Sequence, residues 1–135
     1  MELALAPRAR YMILCDEVIA DEARPGKLMV VGLTSLINWP AGSTAPVRLE
    51  KLVVLLILTD GHGTGQGQVV CLNEETEMRI FGSPPRPVSF AGKDPSGHYG
   101  VAFKLLDCRF PAPGVYKVQF LFDDTLVHDQ LLTVR

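Results

Sequence analysis

Glycine and proline punctuate this chain too densely for long helices. Twelve glycines and ten prolines are spread over 135 residues and divide the sequence into short apolar segments. Short apolar runs separated by turn residues are the pattern of antiparallel strands and their turns. The expected fold class is all-β: an antiparallel two-sheet sandwich of about seven to nine strands.

The segments fall at residues 11–19, 27–39, 47–59, 68–72, 78–81, 88–90, 99–105, 116–122 and 126–135. In the second, Met29, Val31, Leu33, Ile37 and Trp39 lie at odd positions, so a pleated strand puts them on one face, with Ser35 the exception. The third contains Leu52-Val53-Val54-Leu55-Leu56-Ile57-Leu58 without polar alternation. Such a run is covered on both faces and predicts the central strand of the core. Near the C-terminus Tyr116, Val118, Phe120 and Phe122 alternate with Lys117, Gln119, Leu121 and Asp123, and Asp123-Asp124-Thr125 turns the chain back as a hairpin. The pieces 78–81 and 88–90, parted by Gly82-Ser83-Pro84-Pro85-Arg86-Pro87, suit an irregular edge where proline is tolerated.

The length fits one domain, residues 1–135, with 1–9 as a loose N-terminal arm. Thirteen Lys and Arg against fifteen Asp and Glu give a net charge of −2, and the basic residues form no stripe. Nucleic acid is therefore not an expected partner. The longest apolar run is far short of a membrane span, and the N-terminus lacks the order of a signal peptide, so the expected location is cytoplasmic and off the membrane. Cys15, Cys71 and Cys108 sit far apart in apolar runs with no metal-ligand spacing. They read as small buried hydrophobes in a reducing compartment.

Chemistry-bearing motifs are sparse. Gly61-His62-Gly63-Thr64-Gly65-Gln66-Gly67 is glycine-rich, but Gln68-Val69-Val70 follows where a phosphate loop needs Lys-Ser/Thr and a helix. It reads as a loop between strands. His62, His98 and His128 show no paired spacing, and no nucleophile elbow is present. The chain is not expected to be an enzyme, and no cofactor or metal is expected.

The segment Pro111-Ala112-Pro113-Gly114-Val115-Tyr116 is a tight corner that delivers a tyrosine to the start of a strand. Residues 99–135 thus resemble the last three strands of immunoglobulin-like sandwiches, and the resemblance implies that the Tyr116 hydroxyl bonds back to the upstream backbone. The Cys-Trp-Cys core of antibody domains is missing, so only architecture carries over. The opening Tyr11-Met12-Ile13-Leu14-Cys15-Asp16-Glu17-Val18, with Lys27-Leu28-Met29-Val30-Val31-Gly32 and Gly114-Val115-Tyr116, resembles a family of short bacterial proteins of unknown function. That resemblance implies no activity, cofactor or catalytic residue.

If nine segments run alternately up and down, alternate loops share an end. One end then collects loops 39–46, 73–77, 92–98 and 123–125, and with them Trp39, Glu74, Glu75, Glu77, Asp94, His98, Asp123 and Asp124. An aromatic anchor ringed by charge suits a partner, and acidic loops suit a basic partner or a cation. Against this stands the plainer reading that Trp39 caps the core at a strand end. The expected function is a non-catalytic protein-interaction module, an accessory subunit or self-associating component of a bacterial complex. The partner is another protein or the chain itself. The alternative is a small-ligand or calcium-binding domain that uses the acidic loop end.

Overall fold

The computed structural model describes residues 4–24 and 26–135, with Tyr99 by its backbone alone. The described residues form ten strands and no helix: β1 (Arg8–Ala20), β2 (Leu28–Leu33), β3 (Leu36–Ile37), β4 (Val47–Thr59), β5 (Thr64–Asn73), β6 (Arg79–Gly82), β7 (Arg86–Ser89), β8 (Tyr99–Phe110), β9 (Gly114–Phe122) and β10 (Thr125–Val134). One sheet has the order β2-β1-β4-β8. The other has the order β3-β10-β9-β5-β6, with β7 also paired to β5. The triplets β1-β4-β8 and β10-β9-β5 match the A-B-E and G-F-C orders of an immunoglobulin-like sandwich. All pairings are antiparallel except β3 with β10.

The leucine-rich run lies in β4, between β1 and β8, as its lack of alternation predicts. Leu52, Val54, Leu56 and Leu58 enter the core between the sheets, while Val53 and Leu55 are buried on the opposite face. From the second sheet Tyr116, Val118, Phe120 and Phe122 point inward. Aromatic pairs bridge the layers: Phe103 to Phe120 at 5.7 Å and Phe110 to Tyr116 at 5.1 Å between ring centroids. Full burial of one such side chain contributes about 1.5–3 kcal/mol.

The corner after β8 carries the chain from one sheet to the other. Tyr116 is buried, and its hydroxyl donates to the Ala112 carbonyl at 2.5 Å, as the resemblance implied.

Three sequence expectations need correction. Residues 61–67 are not all loop, because β5 begins at Thr64. A Cβ on Gly65 would lie 2.3 Å from Phe122 Cζ, and one on Gly67 would lie 2.7 Å from Val88 Cγ2 and 3.1 Å from Phe103 Cζ. These glycines make room for core side chains. The expected N-terminal arm is anchored from Leu5, which exchanges backbone hydrogen bonds with His62 at 3.0 and 3.3 Å. β1 itself starts at Arg8, and residues 1–3 of the arm lie outside the described residues. Finally, segment 27–39 divides into β2 and β3, which belong to different sheets. Its Met29, Val31 and Leu33 face solvent, not the core. Pro25, between the first two segments, lies outside the described residues, as does the side chain of Tyr99.

The reason is the course of β1. Its first half pairs with β4 from Arg8 to Cys15, and its second half pairs with β2 from Cys15 to Ala20. The β1–β2 hairpin folds back across the outer face of the β4 sheet. Its tip brings Leu28 against that face, and a Cβ on Gly100 would lie 3.4 Å from both Leu28 Cδ1 and Ile57 Cδ1. Val18 and Val30, on the Leu28 side of the hairpin, are half buried.

All three cysteines are free and buried. Burial pushes the Cys71 thiol up to about 12, and the neighbouring Cys108 adds to it. Burial likewise raises Cys108 to about 11, helped by Asp107. The thiolate is the reactive form. Aromatic-disulfide titration at neutral pH is therefore expected to modify these two slowly until denaturant is added, and rapid labelling in the folded state would contradict the burial. Both pKa values are raised on folding, so their stabilisation is complete below the ordinary thiol value of 9.0. It is lost as pH climbs toward 11–12, where the unfolded chain releases the protons first.

Candidate interaction surface

An exposed sheet edge presents unpaired backbone groups to any passing strand, and folded proteins blunt such edges. Three of the four edges here are blunted. β3 covers the end of β10 at Thr133 and Val134, and the rest of β10 carries a register shift between Leu126 and His128 and the polar run His128-Asp129-Gln130. The β6–β7 edge is interrupted by Pro84, Pro85 and Pro87. Along β8, Arg86 Nη2 donates to the Ala102 carbonyl at 2.8 Å while its guanidinium lies 4.4 Å from the Phe103 ring centre. Further along, Asp107 takes a left-handed conformation (φ 54°) and breaks the line of the strand. Arg48 and Arg109 both donate to the Asp107 carboxylate, and these bonds, Arg48 first, hold it below the usual carboxylate range.

β2 lacks the charges, prolines and arginine cover of those edges, and its one irregularity is the left-handed Gly32 (φ 69°) near its end. Leu28-Met29-Val30-Val31-Gly32-Leu33 contains no charge and no proline, and it pairs with β1 on one side only. On the outward face of the hairpin Ile19 is 43% exposed, Met29 60% and Val31 40%; beyond the kink at Gly32 (φ 69°), Leu33 is 77% exposed. At the tip a groove of about 520 Å³ has Ile19, Leu28 and Met29 as its apolar lining and Asp21, Glu22, Arg24 and Lys27 as its rim. Contiguous exposed apolar surface with a polar rim marks an interaction site.

The residues singled out from sequence do not form one cluster. Trp39, Glu74, Glu75 and Glu77 lie at the end of the sandwich that holds the tyrosine corner, where Asn73 pairs with Tyr116 and Glu74 N–H donates to the Val115 carbonyl at 3.0 Å. Asp94, His98, Asp123 and Asp124 lie at the opposite end, where Gly67 pairs with Phe122. The expected alternation failed because β6 and β7 both run antiparallel to β5, so together they make one crossing of the sheet and not two. Every later loop changes ends.

Four of these eight side chains already serve the local fold. Trp39 is half buried against the core and its Nε1 donates to the Ser43 carbonyl at 3.1 Å. Glu77 pairs with Lys117 at 3.6 Å. Asp123 Oδ1 accepts from the Gln66 N–H at 2.7 Å, and Asp94 accepts from the Ser96 N–H and hydroxyl, which lower its pKa. Among the described residues no group of three or more His, Cys, Asp or Glu side chains is placed to hold a metal ion. The acidic end that the calcium alternative required does not exist as one surface.

Sequence reading missed β2 as the exposed element.

Fold and surface together define an immunoglobulin-like β-sandwich with one open apolar edge. The chain belongs to a family of unknown function (DUF6941), whose family model matches residues 10–135. Among solved structures it is similar to an immunoglobulin-like protein from Pseudomonas aeruginosa, at 13% identity and a TM-score of 0.47, over 97% of this chain and 98% of that one. That likeness is too distant to carry an argument about function. No curated protein matches the chain in sequence. No helix among the described residues is long and apolar enough to cross a membrane.

Proposed function

We propose that this chain is a non-catalytic interaction module, an accessory component of a larger assembly, that takes its partner by strand addition at β2. The observation that carries the reading is the contrast among edges: three are blunted and β2 is apolar and open. In strand addition the main chain supplies affinity and alternate side chains supply specificity. Ile19, Met29 and Val31 lie where a partner's alternate side chains would rest.

The double variant Met29→Lys with Val31→Lys places two charges on that face without touching the core. Its melting temperature is expected to stay within a few degrees of the parent, as for surface substitutions. Partner recovery from a native extract is expected to fall about tenfold or more, equivalent to roughly 1.4 kcal/mol. Recovery of the same proteins at the same level by both forms would remove β2 from consideration.

A further inference from the structure

Strand β7 belongs to one sheet and β8 to the other, and between them lies a groove of about 460 Å³. Val88 and Val101 supply the apolar part of its lining, and Arg86 and Lys93, both exposed, supply the charged part. No Asp or Glu belongs to the lining. Asp94, next to Lys93 in the chain, has its carboxylate turned to the N–H and hydroxyl of Ser96. The groove is positive along an apolar base.

The bond that blunts β8 also holds Arg86 in place. Its Nη2 donates to the Ala102 carbonyl at 2.8 Å, and its guanidinium lies 4.4 Å from the Phe103 ring centre. An arginine held in this way has already given up rotamer freedom, so it takes an anion at a smaller entropic cost. It makes no ion pair with a carboxylate among the described residues. The N–H groups it does not spend on Ala102 match the two oxygens of a carboxylate.

We infer that this groove takes an acidic segment of a partner protein: a carboxylate side chain on Arg86 with Lys93 close by, and a neighbouring apolar side chain on Val88 and Val101. The site involves neither Met29 nor Val31 and goes beyond the strand-addition reading. Recognition here is by side chains, because Arg86 already occupies a β8 carbonyl that a main-chain ladder would use. The apolar part of the lining favours a peptide over a bare inorganic anion, since burying apolar surface adds to the ion pair.

The probes are two short labelled peptides of valine and serine, alike except that one carries glutamate where the other carries glutamine, titrated against the intact protein by fluorescence anisotropy. The glutamate peptide is expected to bind about fivefold more tightly or better. Arg86→Gln should lower its affinity about tenfold, as for a charge-assisted pair that loses its arginine. Arg86→Lys keeps the charge without the fork and should fall between the two. Lys93→Gln should lower the affinity about threefold, and because the position is exposed it tests the groove even where Arg86→Gln unsettles the fold. Met29→Ser with Val31→Ser should leave glutamate binding unchanged. Equal binding of the two peptides, binding of neither, or glutamate binding that survives both glutamine substitutions would overturn the inference. Loss of binding in the β2 variant would move the peptide to that edge and overturn it as well. Displacement by inorganic phosphate where acetate has no effect would make this a phosphate site and overturn the acidic segment.

Discussion

Phe110→Ala is expected to cost about 3–5 kcal/mol, the range for deleting a fully buried aromatic side chain. Phe110 sits where the chain leaves one sheet for the other, and it has no exposed surface. Its ring meets Phe81 edge-on at 5.3 Å and Tyr116 at 5.1 Å. The first contact joins the broken β6 edge to the core, and the second supports the tyrosine whose hydroxyl closes the corner. Truncation therefore leaves a cavity flanked by two rings that are themselves anchored, so collapse recovers little. Tyr116→Phe isolates the polar part of the same corner. It keeps the buried ring and removes one part-buried hydrogen bond, and should cost about 1 kcal/mol. Urea unfolding of the two variants separates the contributions. A Phe110→Ala loss no larger than that of Tyr116→Phe would mean that the corner is held by its hydrogen bond and not by packing.

Gly67→Ala is expected to cost about 1–3 kcal/mol although it adds a single methyl group, because overpacking forces neighbours off their rotamers. The added carbon would sit 2.7 Å from Val88 Cγ2, 3.1 Å from Phe103 Cζ and 3.2 Å from Phe120 Cε1. Phe103 and Phe120 form an aromatic bridge between the sheets, and Phe103 also lies under the Arg86 guanidinium, so neither ring yields freely. Gly100→Ala is the matched control. Its new carbon would meet Ile57 and Leu28 at 3.4 Å, the edge of ordinary contact, and should change stability by no more than about 0.5 kcal/mol. Thermal melts of the pair test the assignment. Equal tolerance at both positions would show that the aromatic bridge can shift.

These glycines also show what was legible in the sequence. Gly61, Gly63, Gly65 and Gly67 recur every second residue, which is a strand period, and the last two fall in β5 facing rings. Read as composition they suggested a loop; read as spacing they marked a strand whose inner face had to be empty. The unalternating leucines of β4 and the alternating aromatics of β9 were legible because burial on two faces and on one face leave different patterns. Met29, Val31 and Leu33 were not. Alternation tells which residues share a face but not whether water or protein lies beyond it, and the fold-back of the hairpin depends on contacts with Ile57 and Gly100 far along the chain. The loop grouping failed on one fact, that β6 and β7 run the same way, and neither short segment reveals its direction.

Strand β1 belongs at once to the open hairpin and to the core sheet, and Cys15 is paired to Leu33 on one side and Val53 on the other. No flexible joint separates the proposed docking edge from the interior. A strand held by β2 is thus held by an element that the domain cannot release without unfolding, so occupancy of the edge and global unfolding are linked equilibria. A partner present at a hundred times its dissociation constant would raise the unfolding free energy by about 2.7 kcal/mol. Any strand that docked at this proposed edge would therefore register as a rise in melting temperature, whatever its identity.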